Sequence, residues 1–252
     1  MEDLQKKEIV LGLDISTTTI GCCLLINDGS EYGKIIELTH VSPKVPKGTD
    51  VIESLFLKTE IFREEFLKRY KDLGISKVVI EAPLLTSNNS VTCGILLRFN
   101  GMISLAVYEE LGVKSKYISS YDARKYSFPS LMSIRKFDKK GEQYASTKIL
   151  NAIKKNQLVL FGSYPWDVDK KNVIQCKVSE TFPDIPWIYD KKGELKKENY
   201  DACDAYVALL GQLNKEKYGE LDFKISDVNQ NNNEISYTVT YWDKVENKKI
   251  FL

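Results

Sequence analysis

Four carboxylates stand where an acid needs a reason to be. Asp14 falls inside an apolar run, Ile9–Ile15, among Leu11, Leu13 and Ile15. Glu81 closes a second run, Lys77–Glu81, after Val78, Val79 and Ile80. Asp201 and Asp204 open an apolar helical stretch, DACDAYVALLG. Burying an unpaired carboxylate is costly. Two of them on adjacent strands repel and raise one another's pKa unless a cation holds them. Asp201 and Asp204 are three residues apart, so a helix presents both on one face. Hard oxygen donors of this kind suit Mg²⁺, with Mn²⁺ able to substitute. Two such ions per site would activate a water and stabilise the leaving oxygen in phosphodiester hydrolysis. Taken singly, Asp201 is explained as a helix-start acid favoured by the dipole, while Glu81 fits an exposed strand end and a ligand equally. Asp14 has no such cheap explanation, and the conjunction of the four in this order is the signal.

The elements that must position these acids follow from hydrophobic periodicity and turn residues. Ile9–Ile15, Gly21–Asn27 and Lys34–Val41 read as three strands in quick succession, an antiparallel meander, with Asp28-Gly29 as a turn. Val51–Leu73 has helical spacing (Leu55, Ile61, Phe62, Phe66, Tyr70) and stops at Gly74. Lys77–Glu81 is a fourth strand ended by Pro83, Ser90–Leu111 a long apolar helix capped by Gly112, Lys114–Ile118 a fifth strand, and Gly141–Leu160 helical again. The alternation after the meander predicts parallel pairing through crossover helices, an α/β mixed sheet of about five strands flanked by helices. Phe161–Asn199, with Trp166, Trp187 and three prolines, reads as an irregular insertion before the last core helix, with room for a short hairpin. Glu234–Leu252 alternates like a β-hairpin, and the polar run Asn229–Asn233 reads as its link to the rest. The expected division is a domain over 1–214, with its insertion at about 161–199, and a C-terminal extension over 215–252.

Composition narrows the classes. The 252 residues are 43% hydrophobic and 28% charged, ordinary for a soluble globular chain with a sizeable core. No apolar run is read as a membrane span, and the charged start, Met1 to Glu8, leaves no secretory signal, so an intracellular, cytoplasmic protein is expected. The five cysteines (Cys22, Cys23, Cys93, Cys176, Cys203) form no C-x-x-C pair, which argues for buried thiols over zinc or disulfides. His40 is the only histidine, which removes His-rich metal sites and makes a His-based triad a poor fit. Net charge is +1 overall, yet Lys114–Lys177 carries fourteen Lys and Arg against five Asp and Glu, a local +9 that leaves −8 elsewhere. A basic middle on an acidic chain suits a phosphate-backbone footprint and equally a solvated lysine surface.

With these residues in place, the sequence resembles the RuvC-like Holliday junction resolvases of the RNase H-like fold. Gly12-Leu13-Asp14 followed by Gly21 matches the opening signature, Val78–Glu81 the apolar strand ending in Glu, and Asp201-Ala202-Cys203-Asp204-Ala205 the D-A-x-D-A helix start. Ile15 and Ser16 depart from the family's Pro-Gly after the first Asp. The resemblance runs from about Ile9 to Gly211, outside the insertion. It implies a homodimeric, metal-dependent endonuclease acting on four-way DNA junctions. Asp14, Glu81, Asp201 and Asp204 would be its catalytic metal ligands. It also implies basic residues near the scissile phosphate, for which Arg124, Lys125, Lys139 and Lys140 are the candidates, and a DNA-facing loop at Ser87, Asn88 and Asn89. Lys148 is better read as a solvated helix residue, and Tyr121 and Phe128 as core or loop packing.

Three alternatives remain at this level. Another nuclease of the same fold could act on flaps or RNA–DNA hybrids. An actin-like or sugar-kinase ATPase shares a related core, and Asp14-Ile15-Ser16-Thr17-Thr18 looks like its phosphate loop. That loop, however, lacks the glycine after the Asp, Gly21 stands where a basic residue is usual, and the chain is short for two lobes. A non-catalytic nucleic-acid binder would gain nothing from four acids facing phosphates.

Overall fold

The computed structural model describes residues 7–83, 89–231, 234–243 and 249–250. Strand alternation organises its first half. The strands β1 (Glu8–Ile15), β2 (Ile20–Asn27) and β3 (Lys34–Val41) form the expected antiparallel meander. β4 (Ile75–Glu81) adds parallel to β1, and β5 (Ser115–Ile118) parallel to β4, giving the order β3-β2-β1-β4-β5. Because successive side chains point to opposite faces, Leu11, Leu13, Ile15, Ile20, Cys22, Leu24, Val78 and Ile80 share one face. They pack there with Leu55, Phe62, Phe66, Phe99 and Ile103. Burying each such side chain stabilises the fold by roughly 1.5–3 kcal/mol. The helices supplying those partners are α1 (Val51–Phe62) and, after the short α2 (Lys68–Tyr70), α3 (Ser90–Leu111).

The single expected helix over 51–73 is interrupted by a π segment at Arg63–Leu67 and ends in a 3₁₀ turn, with Gly74 left-handed at φ 74°. Helix α3, expected to fall short of a membrane span, is long and apolar enough for one by length and composition alone. Its Phe99, Ile103, Ala106 and Val107 lie in the sheet's core, as in a core helix.

The chain divides into two compact units, 1–120 with 171–210 and 121–170 with 211–252. The expected boundary at 214/215 falls inside the last helix, α7, below. The first unit also holds α6 (Lys170–Thr181, from Lys171 on) and the start of α7 (Tyr200–Tyr218). The insertion is therefore not irregular throughout: Ile174 and Val178, one helical turn apart, are buried on α6. An isolated bridge, Tyr189 with Leu195, matches the short hairpin expected there.

The second unit differs most from expectation. α4 (Ser120–Ser127, from Tyr121 on) and β6 (Met132–Ile134) were not anticipated. The expected helix over 141–160 is only α5, Ser146–Lys154. Asn156, at φ 51°, turns the chain, and β7 (Leu158–Leu160) pairs with β6. The C-terminal strands are three. β8 (Leu221–Asn231) pairs with β9 (Glu234–Asp243), which pairs with β10 (Lys249–Ile250). Asn229–Asn231 is thus paired strand rather than linker.

Candidate metal-binding site

The four acids reach one place through strand parity and two glycines. In the parallel β1–β4 ladder Leu13 lies opposite Ile80, so Asp14 and Glu81 are the next residues along on neighbouring strands. Both point to the sheet face opposite the aliphatic core. That face also bears Gly12, Gly21 and Cys23, and α7 covers it. A Cβ on Gly12 would lie 2.3 Å from the Ala205 carbonyl oxygen, and one on Gly21 1.9 Å from that of Asp201. Gly21 is the direct antiparallel partner of Asp14. The first turn of α7 therefore rests on the backbone beside Asp14, which brings Asp201 and Asp204 to it.

The electrostatics record this proximity. Burial pushes the Asp14 carboxyl well above the usual carboxylate range. The negative charges of Glu81, Asp204 and Asp201 push the same way, and Lys171 opposes them. Lys171, near the start of α6, places its Nζ 3.2 Å from Asp201 Oδ1 and 3.4 Å from Asp204 Oδ2. Burial works against its charge, but the two aspartates outweigh it and hold the ammonium above its ordinary value. Asp204 is buried, with its side chain 4% exposed, and Asp201 is 24% exposed. As the side chains lie, no three His, Cys, Asp or Glu among the described residues are placed to share one ion. Ligation by this set requires side-chain rotation and withdrawal of Lys171. The donors themselves fit a divalent cation, being all carboxylate oxygens on mutually repelling groups.

Lys171 was missed from the sequence because its helix lies in the stretch read as irregular. The spacing of Ile174 and Val178 was the signal that could have exposed it.

The remaining candidates have other surroundings. Arg124, Lys125, Lys139 and Lys140 belong to the second unit, whereas the acids belong to the first. Arg124 and Lys125 are partly buried, with Lys125 over the Tyr126 ring, and Lys139 and Lys140 are exposed. Lys148 covers the Tyr144 ring. Phe128 is buried, and Tyr121 is exposed. Asn89 caps α3, its side-chain oxygen accepting from Thr92 N at 3.1 Å. Ser87 and Asn88 lie outside the described residues. In the loop after Asp14, the amides of Thr18 and Thr19 both donate to Ser16 Oγ, at 3.3 and 2.9 Å.

No protein-family model and no curated protein matches the chain. It is similar to Thermus thermophilus RuvC in complex with a Holliday junction substrate, at a TM-score of 0.50 and 12% identity, over 84% of this chain and 96% of that one. Thermus thermophilus RuvC alone aligns over the same shares, at a TM-score of 0.48 and 13% identity. The yeast mitochondrial Holliday junction resolvase Ydc2 aligns at 0.42 and 12%, over 84% and 81%. The chain therefore has the RuvC-like fold, a mixed five-stranded sheet flanked by helices.

Proposed function

We propose that this protein is a metal-dependent endodeoxyribonuclease that resolves four-way DNA junctions. The observation that carries the reading is the convergence of Glu81, Asp201 and Asp204 on Asp14, whose charge they destabilise. Such a cluster is expensive to keep without a cation to neutralise it. Asp14, Glu81, Asp201 and Asp204 would hold Mg²⁺ or Mn²⁺, two ions per site. Bound there, the ions would supply Lewis-acid contacts to phosphate oxygens and lower the pKa of a water. The chain's own contribution is placement. Asp14 and Glu81 are fixed by the sheet, while Asp201 and Asp204 are fixed by the packing of α7 on Gly12 and Gly21. Lys171 sets a positive charge against Asp201 and Asp204. The likeness to a junction-bound resolvase supports the choice of substrate. A labelled panel of four-way junction, flap, linear duplex and RNA–DNA hybrid in Mg²⁺ tests the reading. Paired symmetric nicks confined to the junction are expected. Preferential cutting of hybrid or flap would move the protein to another nuclease class of this fold.

Resolution needs two sites acting on two strands, and α3 offers the means to pair two copies. Val91, Gly94, Arg98, Gly101, Leu105 and Tyr108 recur at alternating spacings of three and four along its outer side. Val91 is 69% and Leu105 57% exposed, and a Cβ on Gly94 or Gly101 would meet nothing within 4 Å. A glycine inside a helix costs about 0.5–1 kcal/mol relative to alanine, and no packing contact at Gly94 or Gly101 among the described residues offsets it. Close approach of a second α3 would. Leu105→Glu is expected to convert a homodimer to monomer in light scattering without unfolding it. A monomeric wild-type protein would refute the pairing.

A further inference from the structure

Within the second unit, two large aromatic side chains stand in solvent beside a guanidinium. Trp166 is 42% and Tyr164 38% exposed. The Arg135 guanidinium carbon lies 4.4 Å from the centre of the Trp166 ring. The segment that presents them is held firmly. Phe161 N donates to Leu131 O, Ser163 N to Ser133 Oγ, Tyr164 N to Phe161 O, and Lys136 N to Gly162 O. Phe161 itself is buried at φ 55°, a backbone region that a bulky residue enters only when its surroundings force it. Its ring meets that of Tyr164 edge-on at 6.0 Å. The backbone that carries the aromatics is therefore anchored, which limits the ordering entropy lost on binding.

The chemistry of the patch selects the partner. Between residues 122 and 187, Tyr164 and Trp166 are the exposed large hydrophobics among the described residues, and the aliphatic Leu160 and Val168 that line the same cleft are half-buried. A protein-docking patch would be expected to expose aliphatic side chains, whereas exposed flat rings with an arginine suit planar bases. The cleft they border, lined also by Phe137 and Lys170, holds about 20 Å³, room for little more than one water. A ring would thus lie on the rim and not inside. The patch sits wholly in the +9 stretch, with Lys136, Lys139 and Lys140 adjacent in sequence.

We propose that Arg135, Tyr164 and Trp166 form a stacking platform for an unpaired nucleobase of a DNA substrate. Arg135 backs one side of the Trp166 ring, and the base lies against the exposed part. This rests on the nuclease reading only in taking DNA as the ligand. The test uses full-length protein in EDTA with two DNAs, a branched one carrying a 5-iodouracil at an unpaired position and a fully paired duplex of equal length. Irradiation is expected to crosslink the iodouracil to Trp166 or Tyr164. Trp166→Ala should weaken binding of the branched DNA about tenfold or more, leave the duplex nearly unchanged, and be rescued by Trp166→Phe. Equal weakening on both DNAs, or no crosslink at either ring, would overturn the platform. Wild-type binding that Trp166→Ala leaves intact would overturn it while sparing the nuclease reading. Absence of any DNA binding by the wild type would overturn both.

Discussion

Replacing Asp14 by Asn is expected to raise the stability of the metal-free protein while removing most of its Mn²⁺ binding. The wild-type carboxyl is raised by burial and by three neighbouring acids. A group whose pKa is higher in the folded state than in the unfolded state contributes stability only while protonated, and that contribution is lost as pH rises through the folded value. Ionising Asp14 in the folded, metal-free protein is therefore costly, and a neutral amide avoids that cost. Each kcal/mol recovered should add about 2–4 °C to the melting temperature of a chain this size. The wild type in EDTA should lose stability as pH rises above the unfolded Asp range, and Asp14→Asn should lose less. Mn²⁺ titrations should show affinity falling by at least about 100-fold, since even groups that only orient a ligand change metal affinity by about 10–100-fold. Calorimetry and thermal melts with and without Mn²⁺ read both effects. A variant that is less stable in EDTA and binds Mn²⁺ as well as the wild type would show Asp14 to be an ordinary structural acid.

Gly21→Ala is expected to be more damaging than any single loss among the exposed basic residues. The new methyl would lie 1.9 Å from the Asp201 carbonyl oxygen, 2.2 Å from its carbon and 2.8 Å from Ala202 N. All three are backbone atoms inside a helical turn and cannot rotate aside. The start of α7 must lift, which draws Asp201 and Asp204 away from Asp14 and strains the packing of Ala205 and Leu209 on Gly12. Overpacking of this kind costs about 1–3 kcal/mol and occasionally more. A displacement of about 1 Å at a reacting centre costs about 100-fold in rate. Cleavage should therefore fall by at least that factor in a protein that still folds, with a melting temperature several degrees lower. An unchanged cleavage rate would mean that the contact of α7 with β2 does not place the aspartates.

The core strands could be read from the sequence because each is a short apolar run bounded by turn residues, and Asp14 and Glu81 stood out by interrupting that pattern. The DACDA helix start was equally visible. What could not be seen was why these segments meet: Gly12 and Gly21 work through the absence of a side chain, and only the packing of α7 shows it. Lys171 was hidden for a different reason. α6 buries little beyond Ile174, Gln175 and Val178, so its helical period is faint against a Pro- and Trp-rich background. In the second unit, β6 and β7 are three residues each, too short for alternation to show. Asn229–Asn231 carried the composition of a linker, yet its backbone pairs with β9, because ladder hydrogen bonds do not depend on side-chain type. The stacking pair Arg135 and Trp166 is separated by thirty residues of sequence and joined by the β6–β7 pairing.

The most direct test of the four-acid site is cleavage of an end-labelled four-way DNA junction by the purified wild type and Asp14→Asn, side by side in Mg²⁺ and in EDTA. We expect paired nicks at symmetric positions from the wild type in Mg²⁺ only, with the variant binding the junction but leaving it intact. Cutting by Asp14→Asn at the wild-type rate, or a wild type that binds ATP tightly and leaves every DNA uncut, would contradict it.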